Sequence, residues 1–282
     1  MSVTTLQACR RSNYLTGWLS FAVQVIIAIS FEITDDLARG HFAQRGTLQG
    51  ISNARELATF EASHGFFVEP AWQTFFLHSR HIFILSVSWI DVAHLMNFIY
   101  IGGHVGVTLG VAIWVYAYHR RWFALLRNTV ILTNAFALLV YENFPVAPPR
   151  LLGSLDFDGH PFHFQDTVFG VMNSGGHIIG SQTGFNEFSA MPSVHIAWAM
   201  IAGCTILLLA RSPWLKAFGA VYPFLMLLSV VVTGNHYLLD AVGSAAVVLA
   251  ATLTALCWER YSRMVPGPWK RANSPLGAGS LS

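Results

Sequence analysis

Apolar and polar residues fall in long blocks along this chain. Six apolar runs, at residues 14–33, 98–118, 123–143, 192–210, 217–232 and 235–258, are separated by segments rich in Arg, Asp, Pro and Gly. An α-helix rises about 1.5 Å per residue, so a run of ~20 residues crosses the ~30 Å hydrocarbon core of a bilayer. The pattern predicts an all-α integral membrane protein with six transmembrane helices and long outer loops. Arg10 and Arg11 precede the first run, and the Phe31-Glu32-Ile33-Thr34 stretch after it lacks the small residues of a cleavage site, so the segment is expected to stay as a span. Residues 1–13 form a short tail, 14–265 the membrane domain, and 266–282, rich in Pro, Gly and Ser, a disordered tail.

Two stretches break the block pattern. In residues 35–80, Ala54, Leu57, Phe60, His64 and Phe67 recur three or four apart with Arg55, Glu56 and Glu61 between them. That spacing predicts an amphipathic helix, lying in the membrane interface or packed on the spans, and Pro70 is expected to break it. The stretch 81–118 exceeds one span, and Gly102-Gly103 offers a bend. Asp91, His94 and His104 lie along it; a lone His104 suits a helix-to-helix hydrogen bond as well as a functional role. Residues 151–189 make a long glycine-rich loop, the length of a substrate gate. Its Asp156, Asp158, His160 and His163 have a spacing open to a metal, though no second cluster completes a site.

Composition agrees with the pattern. The 282 residues are 54% hydrophobic and only 11% charged, and the mean hydropathy is +0.51, which excludes an ordinary soluble domain. A net charge of +2 gives no reason to expect nucleic acid. Cys9, Cys204 and Cys257 have no metal or disulfide spacing. With the N-terminus inside, most of the 16 Lys and Arg fall on the inner side, as in Arg120-Arg121, Arg211 to Lys216 and Arg260 to Arg271. Both termini are then cytoplasmic, and Arg150, His195 and His236 all emerge at the outer face.

Those residues carry the candidate chemistry. In Met191-Pro192-Ser193-Val194-His195, Pro192 is expected in the first turn of a helix whose free N–H groups attract an anion; Ser193 adds a hydroxyl and His195 a proton. His236 and Asp240 are spaced i, i+4, so on a helix the carboxylate holds one ring nitrogen protonated and leaves the other free to attack. An ordinary helix start and a helix-end ion pair explain each motif taken singly. Prolines at 145, 148 and 149 stiffen an arm that ends in Arg150, which suits a phosphate clamp or a snorkelling arginine.

Pro148-Pro149-Arg150, Met191-Pro192-Ser193-Val194-His195 and Gly234-Asn235-His236-Tyr237-Leu238-Leu239-Asp240 together resemble the three signature motifs of the type 2 phosphatidic acid phosphatase superfamily. They are most similar to its inositol phosphorylceramide synthase-like branch. The resemblance implies a six-helix membrane enzyme that needs no metal or other cofactor and acts on a lipid phosphate or phospholipid in the bilayer. It also implies roles: His236 as the nucleophile that becomes phosphohistidine, Asp240 as its orienter, His195 as the acid for the leaving oxygen, and Arg150 and Ser193 as ligands of phosphate oxygens. A rate that peaks between two pKa values follows, since His236 must start neutral and His195 protonated.

Two basic residues of the superfamily pattern are replaced, by Asn143 and Val230. Asn235 is expected to donate a hydrogen bond in compensation, or Arg55 or Arg80 to supply charge. Water as acceptor gives a phosphatase, an alcohol such as inositol or a lipid hydroxyl gives a phosphotransferase, and the same motifs serve both. A transporter or lipid-binding protein is the reading from another class, and no internal repeat supports it.

Overall fold

The computed structural model describes residues 47–78, 81–82, 85–86, 89–152, 154–157, 160–168 and 188–264. The expected first span at 14–33, both expected tails, Arg80 and Asp158 lie outside them. Helices α1 (Thr47–Ser63) and α2 (Glu69–His78) lead to a short hairpin of β1 (His81–Ile82) and β2 (Leu85–Ser86). Then come α3 (Trp89–Phe98), a π-helical turn (Ile99–Gly103), α4 (His104–Tyr118) and α5 (Arg120–Asn143). A second hairpin, β3 (Ser154–Phe157) with β4 (His160–His163), precedes α6 (Val194–Leu209), α7 (Pro213–Val232) and α8 (Leu239–Met264).

The protein is an all-α, multi-pass integral membrane protein. Among the described residues, four helical stretches are long and apolar enough to cross a bilayer: Val92–Tyr118, Arg120–Asn143, Pro213–Val232 and Leu239–Ser262. Their outer surfaces show Leu109, Ile113, Leu139, Phe224, Leu249 and Leu253 to the surroundings, as lipid contact requires. At 16 residues, α6 is shorter than a span expected at 192–210. It is the hub of the bundle, packed by α4, α5, α7 and α8. Its side chains Ile196, Ala199, Ile201, Ala202 and Ile206 form the core with Val115, Tyr222, Met226 and Val230. Gly203 and Gly219 let α6 and α7 touch backbone to backbone, since a Cβ at Gly203 would lie 2.5 Å from the Gly219 carbonyl oxygen.

Several boundaries differ from expectation. The expected crossing at 98–118 starts earlier, because no break occurs at Gly102-Gly103; the π-helical turn joins α3 and α4 without one. Pro70 opens α2 rather than breaking the preceding helix, as a residue with no N–H can in a first turn. Helix α1 ends at Ser63, so His64 and Phe67 are not on it. Its buried face is Ala54, Leu57, Ala58 and Glu61, while Phe60 is exposed, which inverts the expected polar position of Glu61.

Candidate active site

Three segments distant in sequence meet at one end of the bundle. After α5, Val146 N–H donates to the Phe188 carbonyl (2.9 Å), and Ala190 N–H donates back to Val146 (3.1 Å). Pro148 is extended and Pro149–Leu151 form a single 3₁₀ turn, so the chain cannot continue α5 and turns toward the next segment. Arg150 N–H then donates to the Gly234 carbonyl at 3.0 Å. The Arg150 guanidinium donates to Asn235 Oδ1 (2.9 Å) and Asp166 Oδ2 (3.2 Å), with only 8% of its side chain exposed. Asn235 Nδ2 donates to Thr233 Oγ1 at 2.9 Å, so the amide orients Arg150 through its oxygen.

The second segment carries His236. Gly234 ends α7 with φ +72°, and the N–H groups of Asn235 and His236 both turn back to the Val230 carbonyl (3.1 and 3.2 Å). His236 therefore sits in the turn between α7 and α8, and Asp240 in the first turn of α8, rather than together on one helix face as the i, i+4 spacing predicts. The Gly-Asn pair makes the turn, and the helix begins only at Leu239. The turn still brings His236 Nδ1 to 3.0 Å from Asp240 Oδ2 and 2.8 Å from the Ala190 carbonyl oxygen. Both partners are acceptors, so Nδ1 carries the proton and Nε2 keeps its lone pair. That Nε2 lies 3.2 Å from Ser193 Oγ, in a residue only 5% exposed.

Ser193 belongs to the third segment and is the N-cap of α6, its Oγ accepting from Ile196 N–H at 3.4 Å. Pro192 thus precedes the helix instead of entering its first turn; its carbonyl accepts from the Tyr141 hydroxyl at 2.6 Å, after a cis Met191–Pro192 bond. The Ser244 hydroxyl lies between the Ser193 carbonyl (2.8 Å) and the Asp240 carbonyl (2.6 Å), which ties the start of α6 to that of α8. His195, half-buried in the first turn of α6, has its ring centroid 5.8 Å from that of His236. Tyr100 lies against the His195 ring at 4.3 Å and His104 meets it edge-on at 4.4 Å. Both come from the π-helical turn and its end, a device that re-aims side chains within a helix. His104 Nδ1 donates to the Tyr100 carbonyl one turn earlier at 2.8 Å. Tyr100 carried no signal in the sequence beyond its apolar surroundings.

The structure also places the residues that stand where basic side chains were expected. Asn143 is exposed and its amide turns back to the Leu139 carbonyl (2.7 Å), away from the site. Val230 is fully buried, and its carbonyl holds the His236 turn. Arg55 and His94 are exposed. Asp156 pairs in register with Pro161 and Phe157 with His160 in the β3–β4 hairpin. Two further residues touch the His236 turn: Glu69 Oε1 accepts from Leu238 N–H (2.6 Å) and Glu61 Oε1 from Leu239 N–H (2.7 Å), both carboxyl groups fully buried. Burial, with the charge of Glu69 beside it, pushes Glu61 up to about 9, and burial raises Glu69 as well.

The arrangement supplies a nucleophilic nitrogen, a second imidazole about one phosphoryl group away, a helix N-terminus and an arginine. A family model described as the PAP2 superfamily matches residues 55–254, from α1 through most of α8. Among solved structures the chain is similar to the crystal structure of Aquifex aeolicus LpxE, with 15% identity and a TM-score of 0.42 over 66% of this chain and 93% of that one. No curated protein sequence matches the chain.

Proposed function

From the premise that the chain belongs to the PAP2 superfamily, we propose that it is a membrane-embedded phosphoryl-transfer enzyme acting on a lipid phosphate through a phosphohistidine on His236. The observation that carries this reading is the state of His236: Nδ1 is engaged by Asp240 and Ala190, and Nε2 faces the N-cap of α6. A phosphate held at that cap lies between Nε2 and the His195 ring. Nε2 attacks phosphorus, the bond to the lipid oxygen breaks, and that oxygen takes the proton of His195. Water or an alcohol then gives its proton to His195 and attacks phosphorus, and the P–N bond breaks to restore His236. Arg150, the α6 N–H groups and the Ser193 hydroxyl compensate charge on the phosphoryl oxygens.

The site opens at the outer face in this reading, with both termini cytoplasmic, and no metal enters the steps. The inositol phosphotransferase-like branch, in which an alcohol is the acceptor, tolerates replacements such as Asn143 and Val230, and the same residues serve water or an alcohol. The test is phosphate release from diacylglycerol and polyprenyl phosphates by purified protein in chelator, with and without inositol and other alcohols. Wild-type protein is expected to form an acid-labile phosphoprotein that His236→Ala lacks. Retention of full turnover by His236→Ala would overturn the mechanism, and full biological function of a His236→Ala protein would raise the transporter or lipid-binding reading. Loss of activity in chelator, restored by divalent metal, would return attention to the Asp156 to His163 segment.

A further inference from the structure

The nucleophile's turn ends in three consecutive backbone N–H groups that point out of the start of α8, and each is met by a carboxyl group. Tyr237 N–H donates to Asp240 Oδ2 (2.9 Å), Leu238 N–H to Glu69 Oε1 (2.6 Å) and Leu239 N–H to Glu61 Oε1 (2.7 Å). All three carboxyl side chains are fully buried. Asp240 is in addition bonded to the His236 ring, whereas Glu61 and Glu69 form no ion pair with a basic side chain among the described residues. The other oxygens, Glu61 Oε2 and Glu69 Oε2, are buried, and no N–H or O–H donor of the described residues reaches them. The two carboxyl groups accept from adjacent N–H groups of one turn, those of Leu238 and Leu239, which sets them side by side.

Two ionised carboxylates cannot face each other there without water or a cation. A single proton removes the conflict, because one acid then donates an O–H···O⁻ bond to its neighbour, and such charge-assisted bonds are about twice as strong as neutral ones. The titratable groups facing the pair are Asp240 from α8 and the Tyr237 phenol from the turn; the first is anionic when it orients His236, and neither supplies a compensating cation. We infer that Glu61 and Glu69 form a positioning unit that shares one proton and clamps α1 and α2 onto the turn bearing His236. This inference rests on the phosphoryl-transfer reading above for its effect on rate, but the shared proton itself does not.

The consequence for pH has a definite sign. A carboxyl raised from 4.5 to about 9 stays protonated in the fold where the unfolded chain has lost its proton. Stability from the pair is full below pH 4.5 and is lost progressively as pH rises toward 9. Gln at one position mimics the protonated state permanently: its amide oxygen accepts the backbone N–H and its NH₂ donates to the remaining carboxylate. Gln at both positions leaves facing NH₂ groups with nothing to accept.

Purified wild-type protein, Glu61→Gln, Glu69→Gln and the double variant would be compared. Infrared spectra at pH 7 are expected to show a protonated-carboxyl band in the wild type that either single variant loses. Each single variant should keep kcat within about threefold, while the double variant loses at least tenfold in kcat with KM changed by less than about twofold. The unfolding temperature of the wild type should fall more steeply from pH 5 to pH 9 than that of Glu61→Gln. Absence of the band, equal pH slopes, or single variants as impaired as the double would each overturn the shared proton. A wild type that shows the band and the slope but forms no phosphohistidine would overturn the phosphoryl-transfer reading instead.

Discussion

The two histidines of the site have different surroundings. His236 is locked by hydrogen bonds, with its Nδ1 on Asp240 and Ala190 and its turn tied at Val230, Glu61 and Glu69. His195 sits on a regular helix and is held by ring packing from Tyr100 and His104. The difference matches the proposed division of labour. A nucleophile needs one tautomer and one direction of attack, which directed bonds impose. A group that gives and retakes a proton needs its plane fixed while its protonation changes, which flat aromatic contacts allow.

The sharpest way to break the comparison is Asp240→Asn. An amide can turn its NH₂ toward Nδ1 and favour the wrong tautomer, so turnover should fall about 10²–10⁴-fold with protein abundance little changed, measured as the rate of phosphohistidine formation. His195→Ala should slow the first step about 10²–10⁴-fold for a lipid leaving group. The loss should shrink for an aryl phosphate, whose oxygen leaves without a proton; equal losses on both substrates would remove His195 from the acid role. Gly234→Ala probes the backbone side of the His236 lock. It forces a left-handed conformation and sets a Cβ 3.1 Å from the Gln165 carbonyl oxygen, which should lower stability by about 1–2 kcal/mol in thermal or denaturant unfolding. His104→Leu removes one wall of the His195 packing. The expected fall in kcat is about 2–10-fold with KM little changed, measured by steady-state kinetics.

The polar residues at the helix starts were legible together, because a serine, two histidines and an aspartate at the mouths of two apolar runs are harder to explain jointly than singly. Spacing alone was enough to group His236 with Asp240, although the Gly234-Asn235 pair should have warned that a turn, not a helix, carries the histidine. Glu61 was misplaced for a physical reason. A carboxylate is assigned to the polar face by default, yet positions 54, 57, 58 and 61 share one helical stripe, and the cost of burying Glu61 is offset by the N-terminus of α8. Tyr100 could not be read at all, because its contact with His195 depends on a π-helical turn that shifts the register of a uniformly apolar helix. The hub was likewise hidden: length ranks α6 below the other spans, while packing makes it central.

The Ser244 hydroxyl that joins the carbonyls of Ser193 and Asp240 has a consequence for biogenesis. During synthesis, α6 and its anion-attracting start enter the bilayer before the turn with His236 exists. In the proposed reading a half-inserted chain therefore has the phosphate-binding helix start without His236. The seam exists only where α8 is packed against α6, so in the proposed reading the two histidines come together only in the complete bundle.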